Sequence, residues 1–252
     1  MNPYLQNLNR IEFVITYACT GRCKHCSEGD RLGNGEYIAA EAAAKAVKDI
    51  CRQYHIESLM TFGGEPLLRP EVVCRIHKTA REMNIPKRQL ITNGYFCKDN
   101  ARIVEVAKKL AESGVNDILL SVDAFHQERI PLEPVKIFAK AVQETGISLR
   151  MQPAWLVSAE DDNAYNRVTK ELLKEFVEMG IAINDGNVIF PKGNALKYLG
   201  DFFDPKIEYT SPYEDNPEDM RTASFLPNGD VLGGNIYQKE IGEIIESYYP
   251  VR

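Results

Sequence analysis

The stretch "DILLSVD", Asp117 to Asp123, holds an almost unbroken apolar run between two aspartates. It is too short for a helix and lacks the alternation of a strand with one wet face. Such a run predicts a strand covered on both sides, as in a parallel sheet flanked by helices. Its far end turns polar, with Ser121, Asp123 and then His126 in "SVDAFHQ".

Working outward, the same pattern repeats. Upstream lie "IEFVIT" (11–16), "SLMTF" (58–62) and "RQLIT" (88–92). Helical spacing of apolar residues fills the intervals: Ile38 to Tyr54, about Pro70 to Met83, and Ile103 to Leu110 with Gly114 as a C-cap. Downstream, a helix around 135–142 ends at Gly146, and "ISLRMQPAW" (147–155) reads as a fifth strand. A helix marked by Val168, Leu172, Leu173, Phe176 and Met179 ends at Gly180, and "NVIF" (187–190) reads as a sixth strand. Strands alternating with helices predict an α/β fold with a parallel sheet and right-handed crossovers. The tight loops favour a closed or partly closed barrel; an open doubly wound sheet is the alternative. After Pro191 the periodicity fades, and "TASFLPNGDVLGGN" reads as a hairpin turning at Asn228-Gly229. The division expected from this change is 1–195 and 196–252.

The chain has 252 residues, a net charge of −6 and 44% hydrophobic residues, the balance of an ordinary globular protein. Acidic balance gives no sign of a nucleic-acid or membrane partner. No run approaches the roughly 18 apolar residues of a membrane span, and no signal peptide is evident in "MNPYLQNLNR", so a cytoplasmic location is expected. Six cysteines are too sparse for a disulfide scaffold, and clustered thiols in a reducing compartment more often hold metal.

Three of those cysteines sit in "TYACTGRCKHCSEG" (16–29), just after the first strand, as Cys19-x3-Cys23-x2-Cys26. Three thiolates from one loop can hold three irons of a [4Fe–4S] cluster and leave the fourth open to an external ligand. A closed zinc site with His25 or another residue as fourth ligand is the alternative. "GGEP" (63–66) ends the second strand, where two glycines admit close approach of a ligand and Glu65 could receive an ammonium group. "TNG" (92–94) ends the third strand, while Arg150 and Gln152 share a face of the fifth. Each signal alone is ordinary turn chemistry. Their common placement at or near strand C-termini is not, because those ends converge on one mouth in a barrel.

Taken together, these motifs resemble the radical S-adenosylmethionine (SAM) enzymes over about residues 10–190. The resemblance implies a partial (β/α)6 barrel, with a [4Fe–4S] cluster on Cys19, Cys23 and Cys26 and SAM chelating the open iron. It implies cofactor-binding roles for Gly63, Gly64, Glu65, Asn93, Ser121 and Asp123, with His25 beside the adenine and Arg150 as a carboxylate partner. It further implies an electron donor such as flavodoxin or ferredoxin, cleavage of SAM to a 5′-deoxyadenosyl radical, and hydrogen abstraction from a substrate. The substrate class leans to a peptide or protein, with a small molecule or nucleotide precursor as the alternative. A zinc- or cluster-bearing binding protein without catalysis is the reading of another class. His126 and Cys97 are candidate catalytic residues.

The tail "FLPNGDVLGGNIYQKEIGEII" resembles the SPASM extension of peptide-modifying members, but no cysteine follows Cys97. One cluster is therefore expected, with the hairpin as a lid or docking piece. Cys51 should pack as a small hydrophobe and Cys74 should be partly exposed. His55 and His77 are expected at the surface or a helix edge. Tyr209, Tyr213 and Glu214–Asp219 are expected as a solvated loop, with a lid as the sharper reading.

Overall fold

The computed structural model describes residues 2–29, 35–207, 209 and 214–250. Four strands open the fold: β1 (Arg10–Val14), β2 (Ser58–Phe62), β3 (Lys87–Thr92) and β4 (Asp117–Leu120). Helices α1 (Ala40–Cys51), α2 (Pro70–Glu82) and α3 (Asn100–Ser113) connect them. The short α4 (Ala124–Gln127) and the long α5 (Leu132–Thr145) lead to β5 (Ser148–Met151) and β6 (Ala154–Trp155). Then come α6 (Ala164–Glu178), β7 (Ala182–Ile183), β8 (Asn187–Val188) and α7 (Asn194–Leu199). The tail contributes β9 (Thr222–Phe225), β10 (Asp230–Val231), β11 (Gly234–Asn235) and α8 (Ile241–Ser247).

Seven strands form one sheet in the order β7-β5-β4-β3-β2-β1-β9, and every pairing in it is parallel. Both edges are open, so this is a partial barrel. On the helix-covered face, Ile11, Phe13, Leu59, Leu90, Ile118 and Leu120 are fully buried. Each such side chain contributes roughly 1.5–3 kcal/mol, which holds the helices on one side of the sheet. The inward face is mixed. Arg10, Glu12, Gln89 and Asp117, with Met60 among them, line its N-terminal end, and Phe62, Ile91, Leu119 and its register partner Arg150 lie nearer the mouth.

Three expectations need correction. The expected fifth strand breaks at Pro153, which has no N–H to donate, and its second part pairs with β8 in a separate two-stranded sheet. The place next to β5 is taken instead by β7, two exposed residues without a sequence signal. The Asn228-Gly229 turn exists, closed by the Leu226 N–H to Asp230 carbonyl bond of 2.9 Å, but the hairpin is β10–β11. That hairpin turns at Leu232-Gly233, both at positive φ (49° and 74°), while β9 joins the main sheet beside β1.

The tail shares the main core through Ala223, Phe225, Val231, Ile241, Ile244 and Ile245, and Phe225 stacks on Phe13 at 4.6 Å. His77 is another departure: it lies fully buried in α2, its Nε2 2.9 Å from the Thr61 hydroxyl. Burial pushes its pKa down to about 3. His55 is exposed, while Cys51 and Cys74 are half-buried against the core.

Candidate active site: a cysteine loop held by three neighbouring loops

The loop after β1 crosses the mouth of the sheet, and three other loops hold it there. The first is "GGEP". The Gly64 N–H donates to the Thr16 carbonyl and the Glu65 N–H to the Ala18 carbonyl, each at 2.8 Å. A Cβ on Gly64 would stand 2.2 Å from the Ala18 oxygen, and one on Gly63 (φ +146°) 2.6 Å from the Thr16 oxygen. These glycines are therefore required by the cysteine loop's own backbone, whatever ligand also comes close.

The second is "TNG". Asn93 Nδ2 lies 3.7 Å from Cys19 Sγ and donates to the Thr20 hydroxyl at 3.2 Å. Thr20 in turn donates to the Tyr95 carbonyl at 2.6 Å. Glu65 ties the first loop to the second. Its carboxylate accepts from Leu67 N–H (2.8 Å), the Thr92 hydroxyl (2.7 Å) and Asn93 N–H (2.9 Å). Glu65 is fully buried, and burial raises its pKa to about 7 against the pull of those donors. Its geometry is that of a brace behind the cavity wall, with these three donors already on its carboxylate. The third loop, residues 191–195, holds the far end of the cysteine loop through Asn194.

Two adjoining cavities of about 180 Å³ each open at this mouth. The first is lined by Cys19, Cys23 and Cys26, with Gly63, Gly64, Phe62, Thr92 and Asn93. The second is lined by Ser27, Asp123, Gln152 to Ala154 and Asn187 to Phe190. His25, Ile91, Ser121 and His126 border both. Asp123 is fully buried and organises the boundary. It accepts the backbone N–H groups of Phe125 (3.0 Å), His126 (2.9 Å) and Ala154 (3.1 Å), and pairs with His126 Nδ1 at 2.8 Å. Burial opposes ionisation of Asp123, but His126 and these donors outweigh it and hold the pKa at about 2. Burial likewise opposes charge on His126, yet the Asp123 carboxylate raises its pKa. Burial takes His25 down to about 4, against the upward pull of the Asp123 carboxylate and with His126 adding to the fall.

Arg150 and Cys97 do not line either cavity. Arg150 is engaged by Asp117, with Nη2 2.9 and 2.7 Å from the two carboxylate oxygens. It also donates to Asn184, which donates to Gln152 at 2.6 Å. The guanidinium thus braces Gln152, and Gln152 is the member of that strand face that reaches the mouth. Cys97 Sγ contacts the Asp99 carbonyl at 3.6 Å, in the turn capping α3. The β10–β11 hairpin lies by α1, with the Ala39 N–H donating to the Tyr237 hydroxyl, and does not line the mouth. Tyr209 packs on Phe203, and Asp215 caps the start of β9 through Arg221 and Thr222 N–H groups. Tyr213 lies outside the described residues.

The donor set fits an iron–sulfur group. Burial raises the pKa of all three thiols, Cys19 to about 12, so as free groups they would stay protonated and inert. A bound cationic centre reverses that preference. A Cβ on Gly21 would stand 3.2 Å from Cys23 Sγ and 3.7 Å from Cys19 Sγ, so the glycine leaves room around the sulfurs. Among the described residues, the side chains whose ligand atoms lie within 4.8 Å of one another are Cys23, His25 and His126, not the cysteine trio. The wider thiol triangle suits a centre of several irons.

The chain matches the family model of the radical SAM superfamily over residues 13–195. It belongs to that superfamily. Membership makes it, by class, a SAM-dependent enzyme. A GTP 3',8-cyclase of Clostridium perfringens is 26% identical over 131 residues, 51% of this chain and 38% of that protein. A probable GTP 3',8-cyclase of Saccharolobus solfataricus is 25% identical over 186 residues, 72% of this chain and 56% of that protein. The chain thus spans between 38% and 56% of these curated relatives' lengths. Among solved structures, anSMEcpe with bound AdoMet aligns with a TM-score of 0.60 at 16% identity, over 95% of this chain and 80% of that one. Streptococcus suis SuiB bound to precursor peptide SuiA aligns at 0.59 and 14% identity, over 96% and 65%. At these identities the radical SAM likeness to solved structures is one of fold.

Residues that sequence reading passed over include Ile91, Asn194 and the whole of Asn187 to Phe190 as a cavity wall. Only the last carried a signal, its position at a strand end.

Proposed function

We propose that this chain binds a [4Fe–4S] cluster through Cys19, Cys23 and Cys26, binds SAM across the two mouth cavities, and abstracts a hydrogen from a peptide or protein. The observation that carries this is the adjacency of a three-thiol cavity to a second one bounded by Ser121, Asp123 and Gln152. The bound cluster and its electron donor, a flavodoxin or ferredoxin, would supply the reductive cleavage of SAM. The chain's own residues orient the cofactor and exclude water. Gly63, Gly64 and Asn93 form the wall beside the thiols, His25 and His126 stand between the cavities, and Ser121 and Asp123 face the nucleoside side. Residues 1–195 are the catalytic core and 196–252 an extension without a second cluster. Among the described residues no helix is long and apolar enough to cross a membrane, and we place the enzyme in the cytoplasm.

The lean to a peptide substrate rests on the SPASM-like tail "FLPNGDVLGGNIYQKEIGEII", with the fold of peptide-bound SuiB, which aligns over 96% of this chain, in support. The test is 5′-deoxyadenosine release from SAM by the reconstituted, reduced protein, offered candidate peptides or GTP. Peptide-stimulated release supports the proposal; stimulation by GTP alone would replace the substrate class. About four irons per chain and broad absorption near ~400 nm are expected, and about eight irons would refute the single cluster.

A zinc-binding protein without catalysis has one observation in its favour, the close trio Cys23, His25 and His126. A colourless protein holding zinc on His25 would establish it.

A further inference from the structure

Cys23 is packed apart from the main core. It belongs to a small hydrophobic cluster with Phe125, Leu156, Ile189, Ala195 and Leu199, contributed by the second half of the fold. The loop containing Asn194 makes the polar part of the same attachment. The Asn194 N–H donates to the Cys26 carbonyl at 2.9 Å, and its side-chain Nδ2 donates to the Cys23 carbonyl at 3.2 Å. Gly193, at φ +57°, lies so close that a Cβ would stand 2.4 Å from the Ser27 oxygen and 2.8 Å from the Cys26 oxygen. Upstream, the same segment runs directly into Phe190 and Ile189, which line the second cavity.

We propose that Asn194 is a positioning residue, clasping the Cys23–Cys26 half of the loop to the wall of the second cavity so that ligand loop and wall move as one body. The clasp rests on the reading that the three cysteines hold the cluster. Its consequence is a mechanical link between the two cavities. A cofactor that orders the 187–190 wall also fixes the spacing of Cys23 and Cys26, and a formed cluster in turn pre-orders that wall. Cys19, held by Asn93 and Thr20 on the other side, lies outside this link.

The experiment uses Asn194→Ala and Asn194→Asp; the second keeps the shape but cannot donate to the Cys23 carbonyl. In the metal-free protein, amide hydrogen exchange over 23–29 should rise roughly fivefold in both variants, with Thr20 and Gly21 unchanged. After reconstitution, iron release to a chelator should be faster than in the unaltered protein, and added SAM should slow it less. An equal rise in exchange at Thr20 and across β1 would mean general destabilisation and would overturn the clasp. So would unaltered exchange together with unaltered, fully SAM-protected iron release. If the unaltered protein takes up no iron, the cluster reading fails, while the exchange pattern still decides whether Asn194 clasps the loop.

Discussion

The two halves of the partial barrel are built by different means. β1 to β4 are four to six residues long and run in continuous register, each pair covered by helices. β5 to β8 are two to four residues long, broken at Pro153 and largely exposed at β7 and β8. What the second half lacks in ladder it replaces with side-chain bonds: Arg150 to Asp117, Asn184 to Gln152, and Trp155 Nε1 to the Asp185 carbonyl at 2.8 Å. The contrast separates a stiff half, from whose first strand the cysteine loop springs, from a polar, cross-linked half that forms the wall of the second cavity and packs Cys23.

The largest expected effect is on the metal. Cys23→Ala should abolish iron uptake on anaerobic reconstitution, whereas Cys51→Ala, in half-buried α1, should leave the iron count unchanged. Retained iron in Cys23→Ala would break the assignment of the cysteine loop as the metal-holding one. Gly64→Ala should come next, since its methyl must displace the Ala18 carbonyl now 2.2 Å from that point. A loss of about 3 kcal/mol in urea unfolding is expected, together with poor iron loading. Asp123→Ala cuts the joint between the halves and strands the Ala154 and His126 donors. About 2–3 kcal/mol should be lost, with SAM affinity down roughly tenfold by titration calorimetry.

The stiff half should also leave a mark in acid. His77 has a folded pKa of about 3 against 6.5 for a free imidazole. Because the unfolded chain takes up this proton first, stability is full above pH 6.5 and drains as pH falls toward 3. A deficit of about 2 kcal/mol at pH 5 relative to pH 7 follows, and His77→Gln should flatten that slope. The smallest effect belongs to the other half. Trp155→Phe removes one part-buried hydrogen bond and should cost about 1 kcal/mol, lowering SAM affinity a few-fold with the iron count intact. A loss of iron there would erase the distinction between the halves.

The stiff half was also the legible one. Its strands are long apolar runs and its helices carry clean stripes, so β1 to β4 and α1 to α3 fall where the residues predict. β7 is two residues, Ala182 and Ile183, paired with β5 at the edge of the sheet, and nothing local announces it. His77 could have been found, since Val73, Ile76, His77 and Ala80 lie on one helical stripe, but a titratable ring biases the reading toward the surface. At the site, the residue types were readable and their partners were not. The carboxylate of Glu65 is visible in "GGEP", but its saturation by Thr92 and Asn93 spans 27 and 28 residues. The Asn194 to Cys23 contact spans 171 residues, far outside any motif window.

One consequence lies in the order of synthesis. β1, which precedes β9 by more than 200 residues, has it as a parallel neighbour, Arg10 against Thr222 through Phe13 against Phe225. Asn2 likewise donates to the carbonyls of Ile245 and Tyr248. Until residues 222–248 have left the ribosome, β1 has one neighbour only, and its other edge offers unpaired backbone groups next to the cysteine loop. The strand that launches the cysteine loop thus gains its second neighbour only once β9 exists. A chain that already carries the cysteine loop but not yet β9 would hold its thiols beside an unfinished sheet edge.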